Sequence, residues 1–349
     1  MGRDSANPKQ QMLLSAQVEP GMKQMKTELK ASDKVDTFFA LGSVELRNAK
    51  NQKVYLTVIL SDKSGQISGY VWNNPEETAA RLSGAGYVHV KGTAKTYNGA
   101  LNIQIDFIKP AADDEIDVAD FRQVVPGGIE LWEQRLYDHI GLVRDSNCDT
   151  LLCSFISDVQ FFEAFKLSPA GLMVHHNYTG GLLEHSVNTM SHAVHMAEHY
   201  PGLLDRDLLL TGSLLHDIGK VRAITGNITK AYTTEGKLMG HISIGLIMLE
   251  EKLRQIKEFP AETGLMLKHM ILSHHGSLEF GSPVKPATPE AVALHHIENT
   301  DAKMNHLYGL FRDSDPEREW SSYDKYFATE IYQRKPLKET IDQVREMAL

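Results

Sequence analysis

The run Leu208-Leu209-Leu210-Thr211-Gly212-Ser213-Leu214-Leu215 ends in His216-Asp217. Its leucines are too dense for a surface helix, so the segment reads as a buried one. An imidazole and a carboxylate beside so much leucine are costly to bury unless something pairs with them. A metal ion would satisfy both at once. The chain must then bring further ligands to this helix end from elsewhere.

Other apolar segments offer them. His185 follows Gly180-Gly181-Leu182-Leu183-Glu184, and His241 opens a stretch that continues through Ile244, Leu246, Ile247 and Leu249. His274-His275 closes a segment containing Met266, Leu267, Met270, Ile271 and Leu272. Asp301 lies inside another helical pattern, with Glu298 one turn earlier as the alternative carboxylate. Each is unremarkable alone, but apolar helices that all present His or Asp point to shared ligation. Apolar spacing predicts helices over 130–143, 150–165, 182–199, 207–215, 241–256, 262–273 and 289–310. Imidazole and carboxylate donors suit Mn, Fe, Co or Zn.

Residues 35–110 follow a different period. Short runs rich in β-branched and aromatic residues (37–41, 44–47, 53–60, 66–72, 87–94 and 101–105) are separated by turn residues. With 37–47 taken as one strand there are five, and a short helix at 76–83 falls after the third. That order is the order of an OB-fold, a small barrel that often binds oligonucleotides. Residues 33–110 hold nine Lys/Arg and seven Asp/Glu, a net of +2, so the rest of the chain carries −11 of the total −9. Tyr70, Trp72 and Tyr97 are candidates to stack on bases, with Lys50, Lys53, Lys91 and Lys95 near the phosphates.

With 349 residues, 42% of them hydrophobic, two or three domains with real cores are affordable. The net charge of −9 argues against binding nucleic acid by bulk charge alone. Cys148 and Cys153 are the two cysteines, too few for a disulfide framework or a Cys-rich zinc site. The polar opening lacks an apolar core of signal-peptide length, and no stretch approaches a membrane span, so a cytoplasmic protein is expected. The layout expected is a disordered or extended lead-in (1–34), the barrel (35–110), an acidic linker (111–128), a helical domain (129–312) and a tyrosine-containing extension (313–349).

The pattern His185, His216-Asp217, Asp301 resembles the H…HD…D signature of the HD-domain metal-dependent phosphohydrolases. His241 and His274-His275 resemble the extra ligands of HD proteins that hold two metals. The order of barrel then HD domain, with Gly180-Gly181-Leu182-Leu183-Glu184-His185 leading in, resembles the YhaM-type 3′→5′ exoribonucleases over residues 35–312. The resemblance implies a multidomain protein, an N-terminal all-β OB-fold barrel joined to a C-terminal all-α HD bundle. It implies two divalent ions, with Mn expected and Fe, Co, Zn, Mg and Ni as alternatives. His185, His216, Asp217 and Asp301 would hold one ion; Asp217 would bridge to a second completed by His241, His274 and His275.

Asp217 and Lys220 are then the catalytic pair, Lys220 offering its ammonium to a phosphoryl oxygen. Arg222 is a second phosphate candidate, and His175, His176 and Tyr178 are candidates for substrate binding or leaving-group protonation. The expected substrate is single-stranded RNA, with single-stranded DNA as a second one, shortened from its 3′ end to nucleoside 5′-monophosphates. A homo-oligomer is expected through the tyrosine-rich tail. The rivals are a phosphodiesterase or nucleotidase for a small nucleotide, a nucleic-acid-binding protein with a regulatory HD site, and a di-iron oxygenase on the same scaffold.

Overall fold

A computed structural model describes residues 25–49, 52–97, 100–117, 120–121, 123–172, 176–225, 231–312 and 318–334. Five strands close a barrel: β1 (Lys34–Asn48), β2 (Val54–Asp62), β3 (Gly65–Val71), β4 (Tyr87–Tyr97) and β5 (Ala100–Pro110), in the spatial order β1-β2-β3-β5-β4. All pairs are antiparallel except β3 with β5, and β1 pairs with β4 to close the ring. Helix α1 (Pro75–Arg81) lies between β3 and β4 in sequence. Alternation along the strands sends Leu56, Val58, Leu60, Val88, Val90 and Ile103 into one buried core. Among the described residues, closure leaves the barrel no unpaired strand edge to recruit another chain.

The two runs expected at 37–41 and 44–47 form a single strand, whose pairing with β2 shifts between Leu41 and Val44. Such a bulge lets one long strand bend around a small barrel and pair on both sides. The barrel also draws on the segment read as a lead-in. Leu29 is buried in its core, and the Lys26 backbone N–H donates to Asp62 Oδ2 at 2.5 Å.

The linker is tied down at both ends. Ala111, Ile116 and Phe121 pack with Phe38 and Tyr87 of the barrel. Farther on, Thr179 N donates to Gln123 O at 2.9 Å and Val125 N to Thr179 O at 2.8 Å, a short parallel pairing with the loop that precedes His185.

The helical part comprises α2 (Ile129–Ile140), α3 (Ser146–Ile156), α4 (Val159–Leu167), α5 (Gly181–His199), α6 (Arg206–Leu215), α7 (Lys220–Ala223), α8 (Thr234–Leu253), α9 (Ala261–Ser273) and α10 (Pro289–Arg312). One core unites them, with Leu136, Leu152, Phe165, Leu209, Met270 and Leu294 at its centre. A two-residue ribbon, β6 (Ile224–Thr225) with β7 (Ala231–Tyr232), interrupts the otherwise helical pattern there. The single helix expected over 150–165 is two. Asp158 accepts from Phe161 N at 3.2 Å and caps α4, so the chain restarts its helix there. Among the described residues no helix is long and apolar enough to cross a membrane.

Candidate functional site

Helix α5 begins where two glycines let a loop pass against it. Gly180 has φ +84°, and a Cβ on Gly181 would lie 1.9 Å from the His176 carbonyl oxygen. One turn later His185 is fully buried. His216 caps the C-terminus of α6, and Asp217 follows in the tight turn leading to α7. His241 starts a fresh helical stretch, because Gly240 (φ 71°) breaks α8 immediately before it. His274 and His275 end α9. Five elements thus deliver their ends, or their first turns, to one point.

Asp217, 1% exposed, sits at that point and divides its two oxygens between two groups of histidines. Its Oδ2 is 3.4 Å from His216 Nε2 and 3.6 Å from His185 Nε2. Its Oδ1 is 3.4 Å from His241 Nε2 and 3.6 Å from His274 Nε2. His241, His274 and His275 bring ligand atoms within 4.8 Å of one another, and so do His185, His216 and Asp217, the last through a carboxylate oxygen. Lys220 Nζ donates to Asp217 Oδ2 at 2.5 Å. Burial alone would raise the Asp217 pKa, but Lys220 and His216 outweigh it and hold the carboxylate well below its usual range.

The histidines are oriented from behind. His216 Nδ1 donates to Ser213 O (2.7 Å), His274 Nδ1 to Ile271 O (2.8 Å) and His275 Nδ1 to Phe280 O (2.7 Å). A carbonyl only accepts, so each Nδ1 carries a proton, and in the neutral ring each Nε2 presents a lone pair. His185 Nδ1 meets the same condition at Asp301 Oδ2, 2.7 Å away. The lone pairs of His185 and His216 then face each other across 3.1 Å, which calls for a cation between them. Asp217 Oδ1, His241 Nε2 and His274 Nε2 are buried and lack any hydrogen-bond partner among the described residues. Buried polar atoms are nearly always satisfied, so these converging orphans fit a metal ion.

Burial lowers the pKa of His185 to about 4 and of His241 to about 3, and depresses His274 and His275. Neutral imidazoles are the form that ligates. For His216, burial pushes down, but the Asp217 carboxylate prevails and raises it.

Asp301, expected as a ligand, lies on the far side of His185. It accepts from His185 Nδ1 and His176 Nε2, each at 2.7 Å, and from Asn188 Nδ2 at 2.9 Å. These contacts set it behind the His185 ring, and with His176 and His185 it forms a third buried cluster whose ligand atoms lie within 4.8 Å of one another. Glu298 is the carboxylate of α10 that feels His216, Asp217 and Lys220, and burial chiefly raises its pKa to about 7. It is buried, one helical turn from Asp301.

The neighbouring substrate candidates are placed elsewhere. His176 and Tyr178 are buried and bonded inward, Tyr178 OH donating to Glu184 Oε2, so neither presents itself to a substrate. His175 lies outside the described residues. Arg222 is paired with Glu235, Nη2 to Oε1 at 2.5 Å.

On the barrel, Trp72 and Tyr55 stack with centroids 4.7 Å apart, and Tyr70 lies 6.1 Å from Tyr55. Lys53 Nζ is 5.9 Å from the Trp72 ring, and Lys95 reaches Gln104, the β5 partner of Tyr70. Tyr55 went unnoticed in the sequence. The turn at Lys63-Ser64 pairs Leu56 with Val71, so continuing that register sets Tyr55 beside Trp72. Lys91 is instead held by Asp36 at 2.9 Å. The Tyr97 side chain and Lys50 lie outside the described part.

Residues 182–303 match the HD domain family, and residues 42–111 match the OB-fold nucleic acid binding domain family. Among solved structures, the second OB-fold domain of replication protein A from Methanococcus maripaludis aligns at 20% identity over 26% of this chain and 97% of that one. Its TM-score is 0.22, a likeness too slight to argue from. The chain therefore carries a region similar to OB-fold nucleic acid binding domains followed by a region similar to HD domains.

Proposed function

We propose that the chain is a metal-dependent 3′→5′ exoribonuclease that releases nucleoside 5′-monophosphates from single-stranded RNA and, as a second substrate, single-stranded DNA. Two divalent ions, Mn expected, would be held by His185, His216, Asp217 and Glu298 on one side and by Asp217, His241, His274 and His275 on the other. The observation that carries this reading is the division of the Asp217 carboxylate, each oxygen facing its own pair of imidazoles. Ions bound in such a pair of sites activate water near neutral pH and neutralise charge on a phosphoryl group.

The chain's own residues prepare the site. Lys220 keeps Asp217 ionised. Glu298 is buried, which raises its carboxyl pKa to about 7, and it would serve as a ligand in its ionised form. The ring of His185 is locked by Asp301 and those of His216, His274 and His275 by backbone carbonyls, so the donors need no reorganisation on binding. Tyr55, Tyr70 and Trp72 give the barrel a stacking surface, with Lys53 and Lys95 beside it for the phosphates. A strand gripped there presents its 3′ end for hydrolysis.

The test is a time course on 5′-labelled single-stranded RNA with Mn²⁺, with EDTA, and with Asp217→Ala. A ladder shortening from the 3′ end, dependent on metal and absent in the variant, is expected. Intact RNA with metal-loaded protein would refute the exonuclease reading and direct the search to cyclic and free nucleotides.

A further inference from the structure

His176 belongs to neither donor group, yet it is 1% exposed and held at a φ of 45°, a conformation that residues other than glycine rarely adopt. Its backbone N–H donates to Asn305 Oδ1 at 2.8 Å. Its Nε2 lies 2.7 Å from Asp301 Oδ2, the same oxygen that accepts from His185 Nδ1. Its other ring nitrogen faces Glu184 Oε2 at 3.0 Å. We propose that His176 is a positioning residue for the metal centre: by clamping Asp301 it fixes the ring of His185, so that His185 Nε2 is presented to an ion.

The need for a clamp follows from how the histidines differ. His216, His274 and His275 are pinned by backbone carbonyls, which the helices and turns hold in place. His185 relies on a side chain, and a carboxylate on two rotatable bonds fixes nothing unless it is itself held. His176 and Asn188 hold it from two directions. Its two ring nitrogens each face a carboxylate oxygen, Asp301 Oδ2 on one side and Glu184 Oε2 on the other, so the ring is itself braced from both sides. Partners behind a metal ligand typically contribute about 10–100-fold to metal affinity.

This inference rests on the two-ion reading, and the experiment separates them. Mn²⁺ binding to the full chain is followed by calorimetry, with bound ions counted by electron paramagnetic resonance, for wild type, His176→Asn, Asp301→Asn and Tyr178→Phe. Asn tolerates the positive φ, and Tyr178→Phe disturbs the same network without touching Asp301. Wild type should bind two ions. His176→Asn should lose at least tenfold in affinity for one ion and keep the other, with kcat on a small diester lowered and KM unchanged. Asp301→Asn should lose the same ion, and it carries the test if His176→Asn does not fold. Tyr178→Phe should bind both ions as wild type does. A folded His176→Asn or Asp301→Asn that binds both ions normally overturns the positioning role alone. Equal losses in all three variants overturn it too, as a purely structural effect. A wild type holding fewer than two ions overturns the two-ion reading, and this inference with it.

Discussion

Gly219 is where the HD turn touches α8, and replacing it tests how tightly the two halves of the metal centre are coupled. Its φ of −64° is open to alanine, so the issue is space alone. A Cβ there would lie 1.9 Å from the His241 carbonyl oxygen and 2.5 Å from Gly245 N, where real contacts essentially never fall below 3.0 Å. Both obstacles are helix backbone, so α8 must retreat by about 1.1 Å (3.0 − 1.9) to admit the methyl group. Overpacking of this kind costs about 1–3 kcal/mol. At about 2–4 °C per kcal/mol for a domain of this size, the melting temperature in EDTA should fall by about 2–12 °C. The same retreat carries His241 away from Asp217 Oδ1, now 3.4 Å distant. A misplacement near 1 Å can cost about 100-fold in turnover. Gly219→Ala should therefore weaken the ion held by His241, His274 and His275 while leaving its neighbour near normal. Differential scanning calorimetry and Mn²⁺ titration read both effects. Gly264→Ala in α9, whose nearest neighbour would be 3.5 Å away, is the control and should be neutral or slightly stabilising. A Gly219→Ala protein with wild-type melting and two tightly bound ions would refute the reasoning.

Three other outcomes follow from the site and the barrel. In metal-free protein, His185 and His241 titrate at about 4 and about 3, below an unfolded histidine near 6.5, so the unfolded chain takes up protons first and their stability contribution is lost as pH falls below about 6.5. His176, raised to about 9, acts in the opposite sense: its contribution is full below about 6.5 and lost as pH rises through about 9. Denaturant titrations in EDTA should thus peak near neutrality, and equal stability at pH 7 and pH 5 would contradict this. Trp72→Ala and Tyr55→Ala should each weaken oligonucleotide binding by about 1–3 kcal/mol in fluorescence anisotropy while sparing hydrolysis of a small diester; equal losses on both substrates would remove the barrel from substrate binding. Arg222→Ala should change RNA turnover by less than about tenfold, since its partner is the half-exposed Glu235 and such pairs contribute about 0–1 kcal/mol; a larger drop would place Arg222 on the phosphate.

The barrel and the gathering of His185, His216, Asp217, His241, His274 and His275 were legible because strand alternation and apolar helix runs leave a strong periodic trace. The different surroundings of Glu298 and Asp301 were not. They stand three residues apart on one face of α10, so helical phase brings both toward the same neighbourhood. What separates them is His176, which arrives from a loop and engages Asp301. No periodicity encodes that contact. Nor did the sequence separate α3 from α4, because the apolar spacing continues through Ser157-Asp158 and only the cap at Asp158 marks the break. Tyr55 was hidden for a related reason, its partner Trp72 being close only through the hairpin register.

The pairing of Gln123 and Val125 with Thr179 bears on how the protein can be dissected. Val125 is buried in the helical core, and Trp132 Nε1 donates to Pro126 O at 2.7 Å. A cut at residue 128, the boundary suggested by composition, would strip the helical half of the backbone pairing that braces the loop carrying His176. A fragment starting before Gln123 keeps that brace. Stretches that look like tether in the sequence are, at this end, part of the scaffold.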